Sequence, residues 1–445
     1  MQSALATDLY QLTMMAGYER AGVSGSSTFE MFVRDMPPHR GYLVLAGLAQ
    51  AIEHLTQLRF TPEEIAYLRT VPGLAAAGDR FFNQVLPAFR FEGDVWAVGE
   101  GEPVFAGEPM VRVRAAPPQA QLVETALLAI INFQTLIASK AARIVSAAAG
   151  RPILEFGTRR AHGLDAALYA ARAAFIAGCA GTSNVEAGFR FGIPISGTMA
   201  HSWVQSFPTE VDAFRAYLDI YGPETTLLVD TYDTLHAVRA IVAARLIPGA
   251  VRLDSGDFDA LSREVRGILD AGGLRGTKIL ASGDLDEDRI AALVASGAPI
   301  DAFGVGTTLS TSRDSPALGG VYKLVETERD GVRRQVLKLS PGKRTLAGIK
   351  QVWRTPAAGA VTGDVIGLSD EIHHDSRPLL QPVLKRGQPI APQPSIHDSR
   401  SYCLQRVAEL PAGVRQLRDW DAYPVSISDR LRSTSRMVET RVVKG

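Results

Sequence analysis

Ala250-Val251-Arg252-Leu253-Asp254-Ser255-Gly256-Asp257 is a four-residue strand pattern that breaks into a turn of small and acidic residues. A helical pattern over 261–272 follows it, so the stretch is one strand, one turn and one helix. The same unit recurs on both sides. Strand patterns stand at 153–156, 178–181, 193–196, 226–229, 278–281 and 300–303, with helical patterns at 163–177, 211–221, 234–245 and 286–296 between most of them. This βα alternation predicts an α/β fold built on a (β/α) barrel, with a doubly wound open sheet as the alternative. No Gly-x-Gly-x-x-Gly follows the first strand, which argues against a dinucleotide crevice.

Outward from that core, Pro117-Pro118 marks a change of rhythm. Before it come a helix from Thr7 or Asp8, a strand at 27–34, helices at 47–58 and 61–68, and short strands at 95–98, 103–105 and 110–113. Residues 1–118 therefore read as a small mixed α/β domain, and 119–330 as the barrel, opened by a long helix over 119–148. Asp330-Gly331 signals a hairpin, and 331–445 reads as a segment that packs back on the first domain.

A chain of 445 residues is long enough for two cores. Basic and acidic residues balance at 47 each, which argues against a nucleic-acid binder but leaves local sites for small anions open. Two cysteines, Cys179 and Cys403, support neither a disulfide framework nor a cysteine-based zinc site, so a reducing cytoplasm is expected. The N-terminus lacks a signal-peptide pattern, and polar residues interrupt the apolar windows at 122–137 and 166–177, so no membrane span is expected.

The chemistry lies at the strand ends, where barrel and open-sheet enzymes place their active sites. The apolar run 191–195 reads as a buried strand, which puts Gly197-Thr198-Met199-Ala200-His201-Ser202 just past its end. His201 there is either a hydrogen-bonded loop residue or a group that titrates or attacks. Gly157-Thr158-Arg159-Arg160 places two guanidiniums at a loop-to-helix junction, suited to phosphate oxygens or to a solvated helix start. Asp230 could hold His201 in one tautomer, whereas Asp233 reads as a helix cap. Arg252 offers donors to a carboxylate, Asp254 could accept ribose hydroxyls, and Asp257 either helps hold a metal–pyrophosphate or caps the next helix. Ser282-Gly283 and Gly304-Val305-Gly306-Thr307-Thr308 form two late turns whose backbone amides can approach a phosphate. His373-His374 lacks a third spaced ligand and reads as a solvated loop. These ends together describe a barrel that handles a phosphosugar. An aldolase of that kind would want a lysine at a strand end, and none of these ends carries one.

Five of these stretches resemble the nicotinate phosphoribosyltransferase family and stand in its order: Thr7-Asp8-Leu9-Tyr10-Gln11, Glu155-Phe156-Gly157-Thr158-Arg159-Arg160-Ala161, Gly197 to Ser202, Arg252 to Asp257, and Phe303-Gly304-Val305-Gly306-Thr307. The likeness runs from about Thr7 to the Tyr322–Trp353 region. It implies a type II phosphoribosyltransferase fold: an irregular (β/α) barrel beside a second α/β domain made from both chain ends. The implied reaction joins nicotinate to 5-phosphoribosyl 1-diphosphate, driven by ATP hydrolysis through a phosphohistidine, with Mg²⁺ required. On that resemblance His201 is the phosphorylated residue and Asp230 its orienting acid. Phe156 stacks on the pyridine ring, and Tyr10 covers it from the neighbouring subunit of a homodimer. Thr198 and Arg252 meet the nicotinate carboxylate, Asp254 the ribose hydroxyls and Arg159 the phosphates, with Arg160 beside it. Ser282, Gly283, Gly306 and Thr307 hold the 5′-phosphate. A nicotinamide-using relative and a catalytically silent sensor of the same ligands are the alternatives.

Overall fold

The computed structural model describes residues 3–357 and 359–444. The chain divides into two compact units, Ile137–Pro316 and a second made from Met1–Leu136 with Ala317–Gly445.

The unit Ile137–Pro316 is built on a six-stranded parallel sheet. Its strands lie in the spatial order Gly181–Thr182, Ile153–Glu155, Ala302–Val305, Lys278–Ser282, Ala250–Leu253, Thr226–Leu228. Ala250–Leu253 sits between two neighbours, in register from Lys278 opposite Ala250 to Ala281 opposite Leu253 and from Thr226 opposite Ala250 to Leu228 opposite Arg252. Val251, Leu253, Ile279, Ala281, Phe303 and Val305 are wholly buried, as strands covered on both faces require.

Short polar residues decide where the intervening helices start. Asn184, Thr209, Asp233, Asp257 and Asp286 each occupy an N-cap, and each side chain accepts from a backbone N–H of the first turn. Each such cap is worth about 1 kcal/mol. All of these caps but Thr209, which follows the short helix His201–Gln205, come within a few residues of a strand end, so those turns are short and hold their side chains at one rim.

One expected strand is not formed. Phe191 is the last residue of the helix Val185–Phe191, which stops at Gly192 in the left-handed region, φ 70°. Ile195 makes only an isolated bridge to Thr182 and is 58% exposed, so 191–195 is not a buried strand. The apolar residues of that run serve a helix end and a loop.

In the other unit a seven-stranded antiparallel sheet draws on both chain ends. Its strand Ser26–Val33 pairs with Pro109–Ala115 on one side and Gly320–Arg329 on the other, and Gln381–Lys385 pairs with Asp94–Ala97. Gly320–Arg329, within the stretch 119–330 read as barrel, thus belongs to this sheet. It turns into Val332–Gln335 through Asp330 and Gly331, both at positive φ, the backbone that a two-residue hairpin favours. A buried ion network ties the same unit together: Arg354 reaches Glu102 and Asp364, each at 2.6 Å, and Arg377 joins Glu102 at 2.9 Å. Removing one partner from such a buried set leaves an uncompensated charge, a loss of about 3–5 kcal/mol.

The helical run Pro117–Ala147 is long and apolar enough to cross a membrane by length and composition, but most of its apolar window is buried inside the protein. It is a core helix.

Candidate active site

A cavity of about 360 Å³ opens at the C-terminal ends of the parallel strands. Its walls bring together Phe156, Arg159, Arg160, Arg252 and Asp254 from the early and middle strand ends, and Ser282, Gly283, Gly306 and Thr307 from the two late turns. Residues more than a hundred positions apart meet here because the strand that begins the sheet, Ile153–Glu155, pairs with the one that ends it, Ala302–Val305.

Arg252 is the hub. Its Nε donates to Ser282 Oγ at 2.7 Å, Nη1 to Thr198 Oγ1 at 2.8 Å and Nη2 to Asp254 Oδ1 at 2.6 Å. The guanidinium stands over the Phe156 ring, 5.7 Å from its centroid. Ser282 Oγ also donates to Asp254 Oδ1 at 2.5 Å. Burial pushes the Asp254 carboxyl up, but the Ser282 hydrogen bond and the adjacent guanidinium outweigh it and hold the group below its ordinary value. Asp254 is therefore an ionised acceptor facing the cavity.

Two glycines shape the walls. A side chain on Gly304 would strike the Phe156 ring, with ring carbons 2.5 Å from its Cβ, so this glycine lets the ring lie flat against the strand. Gly283 has φ 99°, and a Cβ there would run into the Asp254 carbonyl oxygen. Only glycine lets the turn after Ser282 come this close to the turn after Leu253.

Behind the arginine pair lies Glu155, whose role the sequence reading missed. It is 1% exposed, accepts from Thr182 Oγ1 at 2.6 Å and from Gly157 N at 2.5 Å, and so pins the turn that carries Arg159 and Arg160. Burial raises its carboxyl despite these two bonds. An acidic residue closing an otherwise apolar strand was the available signal. Asp284, Leu285, Gly304 and Thr308 also line the cavity.

The remaining candidates lie outside the lining. His201 opens the short helix His201–Gln205 rather than sitting in a turn beside a strand. Its Nδ1 is 3.2 Å from Thr231 Oγ1, and the ring is near enough to Asp254 to interact with it electrostatically when protonated. Asp230 does not hydrogen-bond His201, contrary to the expected orienting role. Its Oδ2 accepts from Asp254 N at 3.1 Å and Ser255 Oγ at 2.6 Å, so it orders the Asp254 turn, while the neighbouring Thr231 takes the imidazole. Asp257 Oδ1 caps its helix by accepting from Asp259 N and Ala260 N. Tyr10 belongs to the other unit, where its hydroxyl lies 3.4 Å from Glu124 Oε2. His373 Nε2 lies 3.6 Å from Glu371 Oε2, and no group of three or more His, Cys, Asp or Glu residues suited to a metal exists among the described residues.

A parallel α/β sheet whose strand ends carry a cationic clamp, an ionised aspartate and glycine-formed cradles is the site of an enzyme that handles phosphosugars. The comparisons name the family. The profile described as nicotinate phosphoribosyltransferase (NAPRTase) family matches residues 152–338, with the N-terminal domain matching 5–132 and the C-terminal domain 372–435. The chain is 46% identical over 436 residues to nicotinate phosphoribosyltransferase pncB2 of Mycobacterium tuberculosis, covering 96% of this chain and 92% of that one. It is 40% identical over 460 residues to the nicotinate phosphoribosyltransferase of Bacillus subtilis, covering 96% and 93%. The crystal structure of human nicotinic acid phosphoribosyltransferase superposes with a TM-score of 0.84 at 28% identity, covering 98% of this chain and 99% of that one. This chain belongs to the nicotinate phosphoribosyltransferase family.

Proposed function

We propose that this protein transfers the phosphoribosyl group of 5-phosphoribosyl 1-diphosphate to nicotinate, giving nicotinate mononucleotide and pyrophosphate in the salvage of pyridine nucleotides. The observation that carries this reading is the Arg252 clamp. A guanidinium held by Ser282 and Thr198 beside the Phe156 face offers a charged donor to a carboxylate and an aromatic surface to its ring.

In this reading Phe156 stacks on the pyridine, and Arg252 with Thr198 binds its carboxylate. Asp254 accepts the ribose hydroxyls, and its negative charge faces the sugar as the bond from C1 to the diphosphate oxygen breaks and the pyridine nitrogen bonds C1. Ser282, Gly283, Gly306 and Thr307 take the 5′-phosphate, and Arg159 with Arg160 takes the diphosphate that leaves. The strand order supports the irregular barrel of the type II phosphoribosyltransferases. Every neighbour in the sheet is consecutive along the chain except where first meets last, and the Ile195 bridge extends the edge beside Gly181–Thr182. A doubly wound sheet would instead reverse its order at a switch point.

ATP coupling belongs to the proposal, with His201 as the phosphoryl acceptor held by Thr231. A phosphoryl group there would bring a second anion close to Asp254 and Arg252, altering how firmly they hold substrate. Mg²⁺ fits as a passenger on the diphosphate: lacking a preformed metal cluster among the described residues, the protein would supply one or two carboxylates, and Asp230 Oδ1, buried without a partner, is available. A cytoplasmic homodimer whose Tyr10 completes the partner's base site is also proposed.

Incubation with nicotinate, 5-phosphoribosyl 1-diphosphate, ATP and Mg²⁺, followed by mass analysis, tests the reading. Nicotinate mononucleotide with ADP supports it. Binding of both substrates without product would instead make the protein a sensor.

A further inference from the structure

We propose a second small-molecule site, distant in sequence from the catalytic residues and wholly within the unit formed by the two chain ends. It would take a phosphomonoester with a flat apolar body, of about mononucleotide size. A cavity of about 430 Å³ lies between the strand ends near Arg34 and the C-terminal helix Asp429–Lys444. That volume falls within the range usual for small-ligand sites.

The C-terminal helix turns one face toward it: Arg432, Ser435, Arg436 and Glu439 follow at i, i+3, i+4 and i+7 and all line the cavity. Charge there is lopsided. Five cationic side chains and one carboxylate form the walls. Arg344 pairs with Glu439, and Lys350 is 2.8 Å from Glu30 Oε2. Arg34, Arg432 and Arg436 have no ion pair among the described residues. Arg34 Nε is in addition buried with no hydrogen-bond partner, a donor withdrawn from water and left without an acceptor. Unsatisfied buried donors are uncommon and call for an explanation.

An anion supplies one. Guanidinium forks suit phosphate oxygens, and three of them exceed what a single carboxylate can engage. Between the cations, Phe32, Val325 and Ile427 supply an apolar wall that inorganic phosphate alone would leave uncovered. The combination selects a phosphate attached to a ring. This cavity shares no lining residue with the catalytic one, so the two sites can be tested separately.

The test is calorimetric titration of the full-length protein with AMP, adenosine and inorganic phosphate, repeated on Arg34→Gln, Arg436→Gln and Arg252→Gln. AMP should bind at least tenfold more tightly than adenosine or phosphate. Arg34→Gln and Arg436→Gln should each weaken AMP at least tenfold, with melting temperature and AMP-free turnover unchanged, whereas Arg252→Gln should leave the affinity within about twofold. The Arg436 side chain is exposed even though it lines the cavity, so its variant should fold even if Arg34→Gln does not. Absence of AMP binding, equal binding of adenosine, or loss in Arg252→Gln alone would overturn the proposal.

Discussion

Arg252 Nη2 lies 2.6 Å from Asp254 Oδ1, two residues along the same chain, and both side chains face one cavity. A residue on the strand and one just past its end are thereby locked into a charge-assisted pair. The pair presents a cation and an anion side by side, one for an acidic base and one for sugar hydroxyls.

Arg252→Lys should raise the KM for nicotinate about 10- to 100-fold while the protein stays folded. Lysine keeps the charge but cannot reach Ser282, Thr198 and Asp254 at once, so charge-assisted bonds worth about 1.5–3 kcal/mol each are lost. Steady-state kinetics with a melting curve check this; an unchanged KM would remove Arg252 from the base site.

Gly283→Ala should cost about 1–3 kcal/mol through its left-handed backbone alone, besides the clash with the Asp254 carbonyl. Relief of that clash displaces the Asp254 turn, so KM for 5-phosphoribosyl 1-diphosphate should rise more than KM for nicotinate. Equal changes in both would mean a global loss of stability instead.

His201→Ala should keep the fold, lose ATP-stimulated turnover and retain slow ATP-independent transfer. Thr231→Val, which removes only the hydroxyl 3.2 Å from Nδ1, should lower the ATP stimulation without abolishing it. Failure of His201→Ala to fold would make His201 a purely structural histidine.

The strand ends were legible because their signals are local. Ala250–Leu253 forms as its pattern predicts, and Asp233 caps its helix as read. Phe191 to Ile195 misled because a helix end followed by a loop can be as apolar as a buried strand over five residues. The partner of His201 was illegible for another reason. Asp230 and Thr231 are adjacent, and which of them meets the imidazole depends on the angle of a turn, set by the Asp230 bonds to Asp254 N and Ser255 Oγ. The assignment of Gly320–Arg329 to the other unit is a long-range event, since its partner strand Ser26–Val33 lies at the far end of the chain.

Glu108 gives the stability a pH dependence. Burial drives its carboxyl well above the usual 4.5, and the neighbouring Asp364 charge adds to this. Its Oε2 accepts from Phe105 N at 2.9 Å, Oε1 is buried with no hydrogen-bond partner, and the nearby Arg354 charge opposes the shift without cancelling it. A raised folded-state value means that this contribution is full below the unfolded value and is lost as pH rises through the folded one. Glu108→Gln mimics the protonated form, so its melting temperature should overtake wild type as pH climbs from about 4.5 toward neutrality. Parallel curves for the two proteins would show that Glu108 is ionised in the fold.

The clamp around Arg252 is tested most directly by the ratio of kcat/KM for nicotinate to that for nicotinamide, measured with 5-phosphoribosyl 1-diphosphate and ATP. The two bases differ only where the guanidinium would bind, so a carboxylate-specific clamp predicts a preference for nicotinate of at least about 10- to 100-fold. Equal use of the two bases, or a preference for nicotinamide, would contradict it.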